Sequence, residues 1–211
     1  MSAILEEISK FLQQGRMPSV KQQVEKAIAD GITAKEILEN GLLDGMNVIG
    51  EKFKNNKVYI PEVMLAARAM NAGLEILKPH LADFDTQEKG TVVIGTVKGD
   101  MHDVGKNLVK MMLEGKGLKV VDLGTNVPAA KYLQAAQQHS AQIIACSALL
   151  TTTMQEMQNV VNLVKDSPIA GKVKIMIGGA PVTQNFCDKI GADYYTADAA
   201  TASDVARSIC M

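Results

Sequence analysis

Residues 91–107 of the chain read TVVIGTVKGDMHDVGKN and join a compact apolar run to a polar loop. The run from Thr91 to Val97 has the length and composition of a strand that is buried on both faces. A helix is expected to follow, from about Gly105 to Gly115. A strand, a loop and a helix in this order are typical of an α/β fold with a parallel sheet.

The same alternation continues to the end of the chain. Four further apolar runs of strand type alternate with helical segments and lie at residues 118–123, 141–147, 173–177 and 192–195. Five strands alternating with five helices predict a parallel doubly wound sheet with strand order 2-1-3-4-5. Ligands of such sheets bind beyond the carboxyl ends of the strands, so the loops there are expected to hold the chemistry.

The first 80 residues have a helical pattern, with about four amphipathic helices joined by short links. We expect a break at residues 17–19, a helix end at Gly31, a capping box at Thr33 and Glu36 opening a helix to about Phe53, and Pro61 in the first turn of the last helix. The polar stretch 81–90 is interpreted as a linker. The predicted domains are therefore a helical bundle at 1–84 and an α/β domain at 90–211.

Composition excludes several classes of protein. The 22 basic and 23 acidic side chains give a net charge of −1, without the basic surplus that nucleic-acid binders usually carry. No apolar run approaches the roughly 20 residues that span a bilayer. Three cysteines without a CxxC pair argue against a secreted disulfide framework. We expect a cytoplasmic protein that binds neither nucleic acid nor membrane.

The loop after the first strand carries a potential metal ligand. Asp100 lies two residues before His102, and Gly105 begins the next helix. Neutral imidazole is a good ligand for a borderline transition metal, and a carboxylate at its other nitrogen fixes the tautomer. The small hydroxyls after the third strand and the Gly178-Gly179 pair after the fourth leave room for a large flat group. These loops predict a slot with one metal-binding histidine at its mouth.

The same residues resemble a known signature in three parts. Asp100, His102 and Gly105 match D-x-H-x-x-G, Ser147 and Leu149 match S-x-L, and Gly178-Gly179 match the closing G-G of cobalamin-binding proteins. The chain is similar to the cobalamin domain of methionine synthase and to corrinoid proteins of the methylamine, methanol and O-demethylase methyltransferase systems. Residues 45–50 and 59–70 resemble the helical cap of the same proteins, which shields the methyl group.

The resemblance implies roles for individual residues. His102 displaces the cofactor's own base and binds cobalt (base-off, His-on), while Asp100 hydrogen-bonds His102 and helps to control its protonation. Thr153 is the third member of this relay, at a position where methionine synthase has serine. Ser147 and Thr151 face the nucleotide tail of the cofactor. The remaining residues expected to contact a cobalamin or another cobamide are Met101, Asp103, Val104, Gly105, Leu149, Gly178, Gly179, Ala180, Tyr194 and Asp198.

By the same resemblance, the protein is a methyl-carrier subunit of a multi-component methyltransferase system. Its expected partners are a substrate-specific methyltransferase, a second methyltransferase that passes the methyl group to tetrahydrofolate or a thiol, and a reductive activase. The main alternative is a corrinoid-binding sensor or storage protein without methyl transfer. A mutase subunit would leave the helical cap unexplained, and a receiver-like domain would want an acidic cluster and a lysine at the strand ends.

Overall fold

Strand β1 (Thr91–Thr96) lies at the inside of the sheet, and all six of its residues are buried. In this computed structural model, which describes residues 2–81 and 90–211, β1 pairs in parallel with a strand on each side. The other strands are β2 (Lys119–Asp122), β3 (Ile143–Ser147), β4 (Lys174–Gly178) and β5 (Tyr194–Tyr195). Their order is β2-β1-β3-β4-β5 and all pairs are parallel, which confirms the predicted fold class and strand order.

Helices cover both faces of this sheet, because alternate side chains of each strand point to opposite faces. Val93, Ile144 and Ile177 pack with one set of helices, and Val92, Ile143 and Met176 pack with the other. The first set is α7 (Ala129–Gln138), α8 (Gln155–Lys165) and α9 (Gln184–Ile190), and the second is α6 (Val104–Gly115) and α10 (Ala199–Ile209). The loops after β1 and β3 therefore lead to opposite faces, which is the switch point where ligands of such folds bind.

The preceding residues form a helical unit, as the apolar periodicity predicts. Its α-helices are α1 (Ala3–Gln13), α2 (Met17–Ala29), α3 (Ala34–Ile37), α4 (Asp44–Lys54) and α5 (Ile60–Leu81). Thr33 caps α3 by accepting the N–H of Glu36, and Gly31 takes a left-handed φ of 80° after α2. Its core is built from buried aliphatic side chains such as Leu12, Val24 and Leu77.

Two details of the helical unit differ from the sequence prediction. The expected break at residues 17–19 lies earlier, at residues 14–16, because Pro18 fits the first turn of α2, where its missing N–H is harmless. The helix expected from Thr33 to about Phe53 contains a π-helical segment, Leu38–Leu43, between α3 and α4. Apolar periodicity does not reveal this wider turn, because Leu42, Met46 and Ile49 are buried on either side of the transition.

The described chain divides into two compact units, the first made largely of residues before 88 and the second of those after it. Most of the predicted linker, and the predicted domain boundary at residue 84, lie outside the described residues and stay predictions. Among residues 2–81 and 90–211, no helix has both the length and the apolar character needed to cross a membrane.

Candidate corrinoid-binding site

Asp100 is the centre of the candidate site. Its side chain is fully buried, with 0% of its surface exposed, in the loop between β1 and α6. Oδ1 accepts hydrogen bonds from the backbone N–H of His102 at 3.1 Å and lies 2.7 Å from its Nδ1. Oδ2 accepts from the N–H groups of Leu149 and Leu150, at 2.8 and 3.2 Å, and from the Thr153 hydroxyl at 2.9 Å. The carboxylate therefore ties the loop after β1 to the loop after β3.

These contacts determine the charge of Asp100. Burial raises the pKa of the carboxyl, but the hydrogen bonds donated to it outweigh burial. The Leu149 N–H contributes most among them, followed by the ring and the N–H of His102 and then the Thr153 hydroxyl. The pKa is held well below the usual value of 3.8, so Asp100 is a carboxylate at neutral pH.

The ionised carboxylate also fixes the tautomer of His102. A carboxylate has no hydrogen to give, so Nδ1 must carry the ring hydrogen and donate it to Asp100. Nε2 is then left with a free lone pair in the neutral ring, and half of the side-chain surface is exposed. This is the arrangement in which imidazole is ready to bind a metal, with a carboxylate that raises its basicity.

The loop after β3 supplies the donors to Asp100 Oδ2. Ser147 ends β3 opposite Thr96 of β1, and Thr153 is buried below the loop. Thr151 and Leu149 are exposed at its surface. Thr153, the relay residue implied by the family resemblance, therefore lies in hydrogen-bond contact with Asp100.

The double glycine after β4 accommodates this same loop. Gly178 pairs with Ser147 in the sheet and accepts the N–H of Ala148 at 3.2 Å. Gly179 has a φ of 133°, and a Cβ there would overlap the carbonyl oxygen of Ala148. We expected the two glycines to admit the tail of the cofactor, whereas the close approach seen at Gly179 is that of the Ala148 backbone.

The surface beside His102 fits a flat and largely apolar group. Large apolar side chains are unusually exposed there, with 69% for Met101 and 66% for Val104, and Leu149 and Leu150 are also exposed. A Cβ at Gly105 would meet no atom within 4 Å. Exposed apolar surface of this kind next to polar groups marks a binding site.

One metal ligand suits a metal that is carried by a macrocycle. Among the residues that the structure describes, no three His, Cys, Asp or Glu side chains are gathered as in a metal site built by protein alone. A corrin ring supplies the equatorial nitrogens itself, and the exposed Nε2 of His102 matches the single axial position that remains. The residues present therefore fit a corrinoid.

The residues expected at the nucleotide tail are not connected to Asp100 by hydrogen bonds in the described part of the chain. Tyr194 lies on β5 and is partly exposed, and Ala180 follows β4. Both carboxylate oxygens of Asp198 are occupied by Thr201, at 2.8 Å to its N–H and 2.8 Å to its hydroxyl, so Asp198 caps α10. Asp103 binds the side chain of Asn107 at 3.1 Å. Contacts of these residues with the cofactor stay predictions.

Several residues that organise the site were not identified from the sequence. Lys106, whose side chain is 2% exposed, binds both carboxylate oxygens of Asp122 at 2.8 Å and fixes the start of α6 to the end of β2. Asn126 accepts the N–H of Gly99 at 2.8 Å and donates its own N–H to the Asp100 carbonyl at 3.0 Å. The only available signal was the polar character of these residues near strand ends, which does not reveal a partner.

Comparison with known proteins agrees with this geometry. Residues 90–205 match the family described as "B12 binding domain", and residues 4–78 match a second family with the same description. Trimethylamine corrinoid protein 1 of Methanosarcina mazei is 46% identical over 172 residues, which are 81% of this chain and 80% of that protein. Dimethylamine corrinoid protein 1 of the same organism is 41% identical over 209 residues, covering 99% of this chain and 96% of that protein.

A solved structure leads to the same group. The methanol:cobalamin methyltransferase complex of Methanosarcina barkeri contains a chain that is 32% identical, with a TM-score of 0.88. The match covers 99% of this chain and 80% of that chain. With a family match over more than half of its length and relatives above 40% identity, this chain belongs to the family of B12-binding corrinoid proteins.

Proposed function

We propose that this protein carries a methyl group on a bound corrinoid between two methyltransferases, with His102 as the lower axial ligand. The observation that carries the proposal is the 2.7 Å contact between Asp100 Oδ1 and His102 Nδ1, which leaves Nε2 free and exposed. In this arrangement His102 takes the place of the cofactor's own base, so the cobamide is bound base-off and His-on. The helical cap at residues 1–84 is the second domain of the carrier.

When bound, the corrinoid supplies a cobalt ion that accepts a methyl group from one substrate and donates it to another. The chain's own residues hold the imidazole and its protons. Asp100 keeps the hydrogen on Nδ1 and stays ionised because five donors surround its oxygens. A proton that reaches the site when the imidazole is released is therefore held on Nε2 of His102, where the neighbouring carboxylate stabilises the positive charge.

The identity of the partners is supported by the relatives. Two of them are named as trimethylamine and dimethylamine corrinoid proteins, and the solved structure is a complex with a methanol methyltransferase. We propose that a methylated amine is the methyl source and that a methyltransferase for this amine is the first partner. A corrinoid methyltransferase acting on a thiol or tetrahydrofolate is the second, and a reductive activase restores the carrier after accidental oxidation.

The ligand assignment is tested by cobalt(II) electron paramagnetic resonance on protein labelled with nitrogen-15 and loaded with unlabelled cobalamin. A nitrogen-15 ligand gives doublet splitting, whereas the cofactor's own base would give the triplet of nitrogen-14. We expect a doublet that is lost in His102→Ala and kept in His139→Ala, the matched control in the same unit. A triplet in the labelled wild-type protein would contradict His-on binding.

Methyl carriage is tested separately. The loaded and reduced protein is mixed with a purified trimethylamine or dimethylamine methyltransferase and the corresponding amine, and the demethylated amine is measured in a single turnover. We expect one methyl group to be accepted per carrier, and none with His102→Ala under the same conditions. Doublet splitting without any methyl acceptance would favour the sensor or storage alternative.

A further inference from the structure

Thr96, the last residue of β1, is hydrogen-bonded to the loop that carries His102. Its side chain is fully buried, and its hydroxyl donates to the carbonyl oxygen of His102 at 2.8 Å. Among the hydrogen bonds of the described residues, this one closes the loop from the end of the strand back onto the putting point of the imidazole, six residues later. The contact is independent of Asp100, because the hydroxyl hydrogen goes to a backbone oxygen.

The donor itself is held on two sides. The N–H of Thr96 donates to the Gly124 carbonyl at 2.9 Å, and the Thr96 carbonyl accepts the N–H of Val127 at 3.0 Å. On its other side Thr96 pairs with Ser147 of β3. A β-branched side chain in such a strand has few accessible χ1 values, so the hydroxyl has a fixed position.

Three contacts then fix His102, which lies outside any helix or strand. Asp100 holds its N–H and its Nδ1, and Thr96 holds its carbonyl oxygen. The two contacts with Asp100 define the plane and tautomer of the ring. They leave the peptide bond that follows His102 free to rotate, and the Thr96 hydroxyl removes this freedom.

We propose that Thr96 is a positioning residue of the corrinoid site, whose hydroxyl holds the His102 backbone so that Nε2 is presented at a constant place. This inference rests on the proposed role of His102 as a cobalt ligand. Metal ligands need to be held in their binding geometry by surrounding hydrogen bonds, and their loss weakens metal binding. Thr96 does this from the sheet, on the side opposite to the loop that holds Asp100.

The test compares Thr96→Val with Thr96→Ser. Valine keeps the β-branched shape and removes only the hydroxyl, whereas serine keeps the hydroxyl and loses a methyl group. The matched control is Thr91→Val, at the other end of the same strand, where the threonine is also buried. Loss of one neutral hydrogen bond corresponds to roughly a 2- to 10-fold change in an equilibrium constant.

The first measurement uses protein without cofactor. Amide hydrogen exchange, followed by NMR, should be roughly 2- to 10-fold faster at the His102 N–H in Thr96→Val than in wild type, relative to the amides of β1. Thr96→Ser and Thr91→Val should exchange like wild type at this position. Equal exchange of His102 in Thr96→Val and wild type would overturn the inference, whatever cofactor is later found.

The second measurement uses the loaded, nitrogen-15-labelled protein. Thr96→Val should bind cobalamin roughly 2- to 10-fold more weakly, with a smaller fraction of doublet-split cobalt(II), and Thr96→Ser should restore both. A wild-type protein without the doublet refutes the proposed function, whereas a doublet of equal size in wild type and Thr96→Val refutes the role of Thr96. If Thr96→Val does not fold, Thr96→Ala against Thr96→Ser gives the same comparison.

Discussion

Thr153 Oγ1 lies 2.9 Å from Asp100 Oδ2 and also 2.9 Å from the carbonyl oxygen of Leu150. A hydroxyl has one hydrogen, so it can serve only one of these acceptors at a time. The carboxylate is the stronger acceptor because it is charged. Thr153 therefore completes the set of donors around Oδ2, and the Leu150 carbonyl is an alternative acceptor whenever the charge on Asp100 is reduced.

Removing the Thr153 hydroxyl is expected to destabilise the fold as well as the site. Thr153→Val keeps the volume of this buried side chain but withdraws a donor from a buried carboxylate. A hydrogen bond to a charged group contributes about 1.5–3 kcal/mol, so the free energy of unfolding should fall by that amount. Urea unfolding at pH 7 measures this. Thr153→Ser should stay within about 1 kcal/mol of wild type, and equal loss in both variants would show that the hydroxyl is not responsible.

The ionised state of Asp100 predicts how stability depends on pH. Its pKa is lower in the folded protein than the usual 3.8, so the unfolded chain takes up a proton first as the pH falls. The stabilisation is complete well above pH 4 and is lost as the pH drops through that value. Asp100→Asn lacks this titration, and it should be less stable than wild type at pH 7.

The measurement is the urea unfolding midpoint of wild type and Asp100→Asn between pH 7 and pH 3. The difference in unfolding free energy should shrink on acidification, by an amount on the order of 2 kcal/mol. A constant difference over the whole range would mean that the Asp100 carboxyl titrates alike in the folded and unfolded chain, and that the variant acts only through packing.

Much of the fold could be predicted because β1 is apolar over its whole length. A six-residue strand that is buried on both faces must have neighbours on both sides, which places it inside the sheet. From there the alternation of strands and helices leaves few possible topologies, and the order β2-β1-β3-β4-β5 is one of them. The motif positions followed, since they lie at the carboxyl ends of β1, β3 and β4.

The tertiary contacts of the site could not be predicted in the same way. The two-residue spacing of Asp100 and His102 suggests their contact, but the N–H groups of Leu149 and Leu150 come from about 50 positions later. Nothing local to these leucines indicates that their backbone donates to a carboxylate. The close approach of Gly179 to Ala148 is likewise a contact between two loops, invisible in either loop alone.

This contact at Gly179 predicts a large effect of a small substitution. Gly179→Ala should destabilise the protein by about 3 kcal/mol or more, because the residue has a φ of 133° and the added methyl group would overlap the Ala148 carbonyl. Gly171→Ala is the matched control, with a φ of 72° and no atom within 4 Å of the added group. It should cost only about 1 kcal/mol. Thermal unfolding of both variants decides, and equal losses would mean that backbone conformation alone accounts for Gly179.

The last prediction concerns residues 90–211 alone. Both sets of buried side chains that sandwich the sheet come entirely from this segment, from Val92 to Ala206. The Asp100 hydrogen bonds with His102, Leu149, Leu150 and Thr153 are also made within it. A segment of this size can bury enough apolar surface to be stable by itself.

We therefore expect a fragment of residues 90–211 to unfold cooperatively and to bind cobalamin with the same nitrogen-15 doublet as the whole chain. Circular dichroism against temperature and electron paramagnetic resonance of the loaded fragment are the two measurements. The same fragment carrying His102→Ala is the control, since it should fold equally well but lose the doublet. A fragment that folds yet shows no doublet would mean that the helical unit is needed to keep His102 on the metal. A fragment that does not fold at all would contradict the domain boundary at residue 90.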